Sequence, residues 1–145
     1  MTRTAAFIFA ALGLATAALA HTGVQNPAVM ARMDVMSAIG DSMKVLGTMA
    51  KGEAAFDADR AKEASLAIAR HAAETPALFK APEDDPMSEA LPKIWETFDD
   101  FTAKSEALEA IAMELSGSMT TLDDVRTGVA KLGAACKACH ADYRE

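Results

Sequence analysis

Cysteine, strand-forming patterns and basic charge are all scarce in this chain, and each shortage removes a class of protein. The two cysteines are Cys136 and Cys139. A structural zinc site asks for four ligands in matched pairs, and beyond the histidine that follows the cysteines only His21 and His71 remain to complete one. Aromatic residues make up 6% of the chain and never alternate with β-branched ones over a useful length, which excludes a sheet protein. Lys and Arg number 14 against 21 Asp and Glu, a net charge of −7. That balance argues against nucleic acid and anionic membranes as partners and favours a basic partner. After the first twenty residues, no apolar run approaches the roughly 20 residues a membrane helix needs. There is no nucleophile with its base, no carboxylate pair tied to a pocket and no phosphate loop, so nothing points to an enzyme.

The first twenty residues read as a secretory signal peptide. Arg3 supplies the positive start, an apolar run extends from Ala5 to Ala18, and Ala18-Leu19-Ala20 forms an A-x-A cleavage site. Cleavage leaves a soluble, exported chain of 125 residues (145 minus 20) starting at His21, with a net charge of −8 once Arg3 is gone. That length suits a single domain over 21–145.

Ala, Met, Leu, Glu and Lys dominate what remains, and Pro and Gly punctuate it into four helices. The first covers about residues 26–51, with Asn26 as N-cap, Pro27 at the first helical position and Gly52 as the stop. Val29, Met33, Met36, Gly40, Met43, Gly47 and Ala50 alternate gaps of four and three along it, a bundle seam whose small residues suggest close approach by something bulky. A second helix follows Asp57 and runs toward Lys80 with Ala61, Ala64, Ile68, His71 and Leu78 on one stripe; its boundary is expected at Pro76. The third begins at Met87 or Pro92 and reaches Ser116, with Ile94, Phe98, Phe101, Ser105, Leu108, Ala112 and Leu115 on its stripe. Thr121 caps the fourth, whose stripe is Val125, Val129, Leu132, Cys136, Cys139 and Tyr143. Four amphipathic helices with short connections give an all-α, up-down-up-down antiparallel four-helix bundle.

The chemistry sits in Cys136-Lys137-Ala138-Cys139-His140. Covalent haem c attachment needs this pattern: two thiols add to the haem vinyl groups and the adjoining imidazole ligates the iron. On a helix, offsets of three and four put all three side chains on one face. A thioredoxin-like redox pair would open a helix in a βαβ setting, whereas this pair ends the last helix of an all-α chain.

The other side of the iron follows from level. In such a bundle the start of the first helix lies beside the end of the last. At about 1.5 Å rise per residue, Met36 and His140 both sit roughly 8 to 15 Å from the same end. Met36 is therefore a candidate distal iron ligand, its other reading being one more core methionine. Arg32, one turn earlier, is placed to pair with a haem propionate, or else is a solvated surface arginine. Arg144, four residues after His140, would stack over the imidazole, bond the last helical carbonyls, or fray with the terminus. Tyr143 and Trp95 are packing residues against haem or core. His71 reads as a hydrogen-bonded boundary group, and His21 is given no metal.

These residues together, with Met43-Lys44-Val45-Leu46-Gly47, Lys51-Gly52-Glu53 and Ile94-Trp95, resemble the cytochrome c-prime family, the class II c-type cytochromes, over essentially the whole chain after residue 20. The resemblance implies a four-helix bundle with one haem c on Cys136 and Cys139, His140 as proximal ligand, and a bacterial periplasmic location. It also implies two alternatives. In the low-spin kind a first-helix methionine, here Met36, completes the iron coordination and the protein carries electrons between redox partners. In the high-spin kind the distal position is blocked but unligated, and NO or CO binds. The first helix looks closer to the low-spin kind. A homodimer through the first two helices is compatible with either.

Overall fold

The computed structural model describes residues 23–145; the expected signal peptide and His21 lie outside the described residues. Four long helices form a ring. α1 (Pro27–Ala50) packs against α2 (Ala58–Leu78) and α5 (Leu122–Tyr143), and α4 (Phe98–Ser118) closes the ring between α2 and α5. α3 (Lys93–Glu96) is a single turn against α4 and α5. The architecture is the expected all-α four-helix bundle.

The helix starts follow from the local chemistry. Asn26 Oδ1 accepts the amides of Ala28 at 2.8 Å and Val29 at 3.4 Å, with Pro27 at the first helical position. Asp57 accepts from the Arg60 amide at 3.1 Å. At α5, Thr121 and Asp124 form a reciprocal capping box, with Asp124 N–H to Thr121 Oγ1 at 3.2 Å and Thr121 N–H to Asp124 Oδ2 at 2.8 Å. Gly52 leaves α1 at φ +76°, a conformation open chiefly to glycine.

Two boundaries differ from expectation. Pro76 does not end α2, which continues to Leu78. A proline at 76 leaves the carbonyl of Ala72 without its helical donor, and Ser105 Oγ, reaching across from α4, donates to that carbonyl at 2.7 Å. The orphaned acceptor is thus satisfied inside the bundle. The expected third helix is interrupted at Thr97, whose φ of −130° and ψ of 47° leave the helical region. Its hydroxyl bonds back to the Lys93 carbonyl at 3.0 Å and lies 2.8 Å from Tyr143 Oη. A side chain that competes for local backbone groups in this way favours a break.

The core has two parts. Ile39, Leu46, Met49, Ala61, Ile68, Ala112, Leu115, Val125 and Leu132 fill the middle and one end of the bundle, and Phe79, Ile94, Phe101 and Tyr143 form an aromatic-rich cluster at the other. At Gly128 the α4 and α5 sides come so close that a Cβ would collide with Met119 Cε and crowd Leu115. The stripe expected for α1 is displaced: its fully buried residues are Val29, Arg32, Val35, Ile39, Leu46 and Met49, while Met33, Met36 and Met43 are half-buried. Met36 and Met43 touch the core on one side, and all three methionines also face something else.

Candidate haem site

What they face is a cavity of about 580 Å³ at the aromatic end of the bundle, within the range typical of cofactor sites. α1 contributes Met33, Met36, Gly40 and Met43; α5 contributes Cys136, Cys139, His140, Tyr143 and Arg144; α4 contributes Phe101, Lys104, Ser105 and Leu108. Phe79, Ser88, Glu89 and Ala90 close it from the α2–α3 connection and its neighbourhood. The early turns of α1 thus meet the late turns of α5, as the level argument requires. All six expected site residues, Arg32, Met36, Cys136, Cys139, His140 and Arg144, line this one cavity. No atom lies within 4 Å of where a Gly40 Cβ would stand, so the wall is open there; Gly47 is equally uncrowded but does not line the cavity.

Both cysteines are half-buried and are not joined in a disulfide. Burial pushes each thiol pKa up, opposed at Cys139 by the charge of Lys104. A redox-active CxxC needs the reverse shift, and the position at the end of α5 denies it the helix N-terminus that would supply one. His140 stands at the rim. Desolvation against the wall, and then the Arg144 guanidinium, lower its pKa, with Glu89 opposing. The imidazole is therefore biased toward the neutral form that can ligate a metal. Among the described residues, no group of three or more His, Cys, Asp and Glu side chains is placed to hold a metal ion.

Arg32 is no surface arginine. It is 3% exposed, and its guanidinium donates from Nε to Leu78 O at 3.0 Å, from Nη1 to Glu83 O at 2.8 Å and from Nη2 to Ala81 O at 2.6 Å. It also lies 4.8 Å from the Phe79 ring centroid and 5.4 Å from that of Trp95. Burial lowers its pKa, with Glu83 and Asp84 opposing. Three of its five N–H groups hold the connection after α2 against α1, leaving two for any other acceptor. Trp95 reinforces the same segment through its Nε1–H to Phe79 O at 2.7 Å.

Arg144 does not fray. Its amide reaches His140 O at 3.1 Å, its backbone forms an antiparallel bridge with Ala90, and its Nε donates to Glu89 Oε2 at 2.6 Å. His71 is outside the cavity, its Nδ1 3.3 Å from Glu74 Oε2. Sequence reasoning does not find Glu89, Phe79 or Lys104. Phe79 and Glu89 lie in or beside an irregular connection with no periodicity to follow, and Lys104 sits beside the predicted stripe residue Ser105.

A family model described as cytochrome c′ matches residues 27–144. The chain belongs to the cytochrome c′ family. It is 38% identical over 114 residues to cytochrome c-556 of Agrobacterium tumefaciens strain II Chrys, covering 78% of this chain and 93% of that one. Its fold matches the structure of cytochrome c′ from Rhodopseudomonas palustris with a TM-score of 0.78 at 30% identity, over 83% of this chain and 98% of that one. The nitric oxide complex of a point mutant of cytochrome c prime from Alcaligenes xylosoxidans matches with a TM-score of 0.71 at 29% identity, over 81% and 94%. The protein is thus a c-type cytochrome, and its cofactor is haem c. The cavity fits that group: two thiols and an imidazole on one helix face, the thioethers of Met33, Met36 and Met43 in the α1 wall, and aromatic and aliphatic side chains around them. Bound there, haem supplies a one-electron Fe(III)/Fe(II) couple.

Proposed function

We propose that this protein is a periplasmic electron carrier in which Cys136 and Cys139 anchor a single haem c, His140 is the proximal iron ligand and Met36 the distal one, giving a low-spin site. The observation that carries this reading is the position of Met36, half-buried in the wall built by α1 while His140 stands in the wall built by α5. Met36 is also the residue that packs against both core clusters, so its side chain is held at the junction between them. Thioether ligation opposite histidine raises a haem potential, and burial among apolar side chains acts in the same sense. The remaining N–H groups of Arg32 are available to a propionate, and Arg144, tied to Glu89, backs the imidazole. Export rests on the signal peptide at residues 1–20, and among the described residues no helix is long and apolar enough to cross a membrane. A second copy of the chain would pair through α1 and α2, where a groove carries Asp41, Arg60, Glu63 and Arg70 around Val45 and Leu66.

Met36→Ala tests the proposal. If Met36 is the distal ligand, the substitution converts a low-spin haem to high-spin, read by electron paramagnetic resonance of the oxidised holoprotein. The second reading, a five-coordinate protein that sequesters or senses NO or CO, draws support from the nitric oxide complex formed by the related Alcaligenes xylosoxidans mutant. It requires wild type to be high-spin already and Met36→Ala to change only the rate of gas binding.

A further inference from the structure

The cavity face of α4 runs Phe101, Lys104, Ser105 and Leu108 at helical spacing, and a lysine on such a face is out of place. An ammonium partly withdrawn from water is tolerated only where charge partners hold it. Lys104 Nζ lies 2.5 Å from Asp100 Oδ2 on its own helix and 3.0 Å from Asp142 Oδ2 on α5, and 5.2 Å from the Tyr143 ring centroid. Asp142 is held from its other oxygen by Lys93 at 2.7 Å. The lysine is thereby pinned to the helix that bears Cys136, Cys139 and His140. It is also the best shielded of these groups: its side chain is 26% exposed, against 56% for Asp100 and 37% for Asp142. The carboxylates stand further into solvent, where water and salt screen them more strongly. Of this cluster only Lys104 lines the cavity, whereas Asp100, Asp142 and Lys93 do not, so the charge nearest the site is positive.

We propose that Lys104 raises the reduction potential of the haem site by fixing one positive charge in the cavity wall. Reduction adds one electron to the site, and a cation held beside it favours the reduced state over the oxidised one. Asp100 and Asp142 are positioning residues: they keep the ammonium at the wall while offsetting its charge only in part. The inference deepens the electron-carrier reading and rests on it for its physiological use, yet the potential is measurable whichever group opposes His140. A high-spin site whose potential depends on Lys104 would sink the carrier reading alone. A low-spin site indifferent to Lys104 would sink this inference alone.

The experiment is a spectroelectrochemical titration of the holoprotein and three variants, Lys104→Arg, Lys104→Gln and Lys104→Glu, at low ionic strength. Arginine keeps the wild-type midpoint, glutamine lowers it and glutamate lowers it further; at the wild-type midpoint, the ratio of reduced to oxidised protein in Lys104→Gln falls severalfold. A glutamine variant with the wild-type midpoint overturns the proposal, as does an arginine variant that drops as far as glutamine. Should Lys104→Gln not yield holoprotein, Asp100→Asn decides: removal of the offsetting carboxylate raises the midpoint, and an unchanged or lowered value refutes the assignment.

Discussion

Arg32→Ala should be among the most damaging single substitutions outside the haem ligands. The guanidinium is 3% exposed and holds the carbonyls of Leu78, Ala81 and Glu83 at 3.0, 2.6 and 2.8 Å. Hydrogen bonds to a charged group contribute about 1.5 kcal/mol each at the low end, about 4.5 kcal/mol for three. Ala81 and Glu83 are exposed residues, so their carbonyls regain water when the guanidinium is lost, whereas Leu78 is half-buried and regains less. The stacking over Phe79 and Trp95 disappears as well. A net loss of about 3 kcal/mol results once rehydration is allowed for. For a domain of this size that lowers the melting temperature by about 10 °C. Arg32→Lys keeps the charge, but a compact ammonium cannot fork to three carbonyls, so it should lose about half as much. Urea unfolding of the holoproteins, followed by far-ultraviolet circular dichroism, reads both numbers, with the slope unchanged if only stability is altered. An Arg32→Ala variant within about 0.5 kcal/mol of wild type, or a lysine variant as stable as wild type, would refute the account of Arg32 as a fork that holds the connection.

Ser105→Ala removes the donor that satisfies the carbonyl freed by Pro76 and should cost about 1–3 kcal/mol in chemical denaturation; a neutral result would mean that the acceptor finds another partner. Thr121→Ala breaks the capping box of α5 and should cost about 1 kcal/mol, while Thr121→Ser should restore most of it. Asp85 accepts the amides of Met87, Asn26 and Gln25, which hold its pKa below the ordinary carboxylate value. A depressed pKa means that its stabilisation is present above roughly pH 4 and is lost as pH falls through the folded value. Asp85→Asn should therefore melt earlier than wild type at neutral pH and converge with it in acid; a gap that stays constant across the pH series would show that the carboxylate charge is not what holds the N-terminal segment.

Much of this architecture is legible in the residues themselves. Asn26-Pro27 and Thr121 through Asp124 are local signals with local consequences, and the helices begin where they fall. The α4 stripe is found almost intact, with Phe101, Ser105, Ala112 and Leu115 buried. The α1 stripe expected from periodicity is displaced because that helix has both a fully buried face, with Val35, Ile39, Leu46 and Met49, and a half-buried face, with Met33, Met36 and Met43, along the cavity. A periodicity alone cannot tell a wall that packs on protein from a wall that packs on a cofactor. The CxxCH motif and its level relation to Met36 locate the site, since both depend only on helix geometry and topology. Long-range repair is invisible: neither the hydroxyl of Ser105 over Pro76 nor the fork of Arg32 into the connection after α2 leaves a mark in local sequence. The same holds for Lys104, whose role depends on carboxylates from two helices.

The central claim is that Met36 and His140 together ligate the iron, and the absorption spectrum of the holoprotein, oxidised and dithionite-reduced, before and after CO, tests it most directly. Sharp α and β bands on reduction and a spectrum indifferent to CO are predicted. A broad high-spin spectrum that shifts when CO is added would contradict the claim, leaving Met36 as a packing residue and moving the function to gas binding.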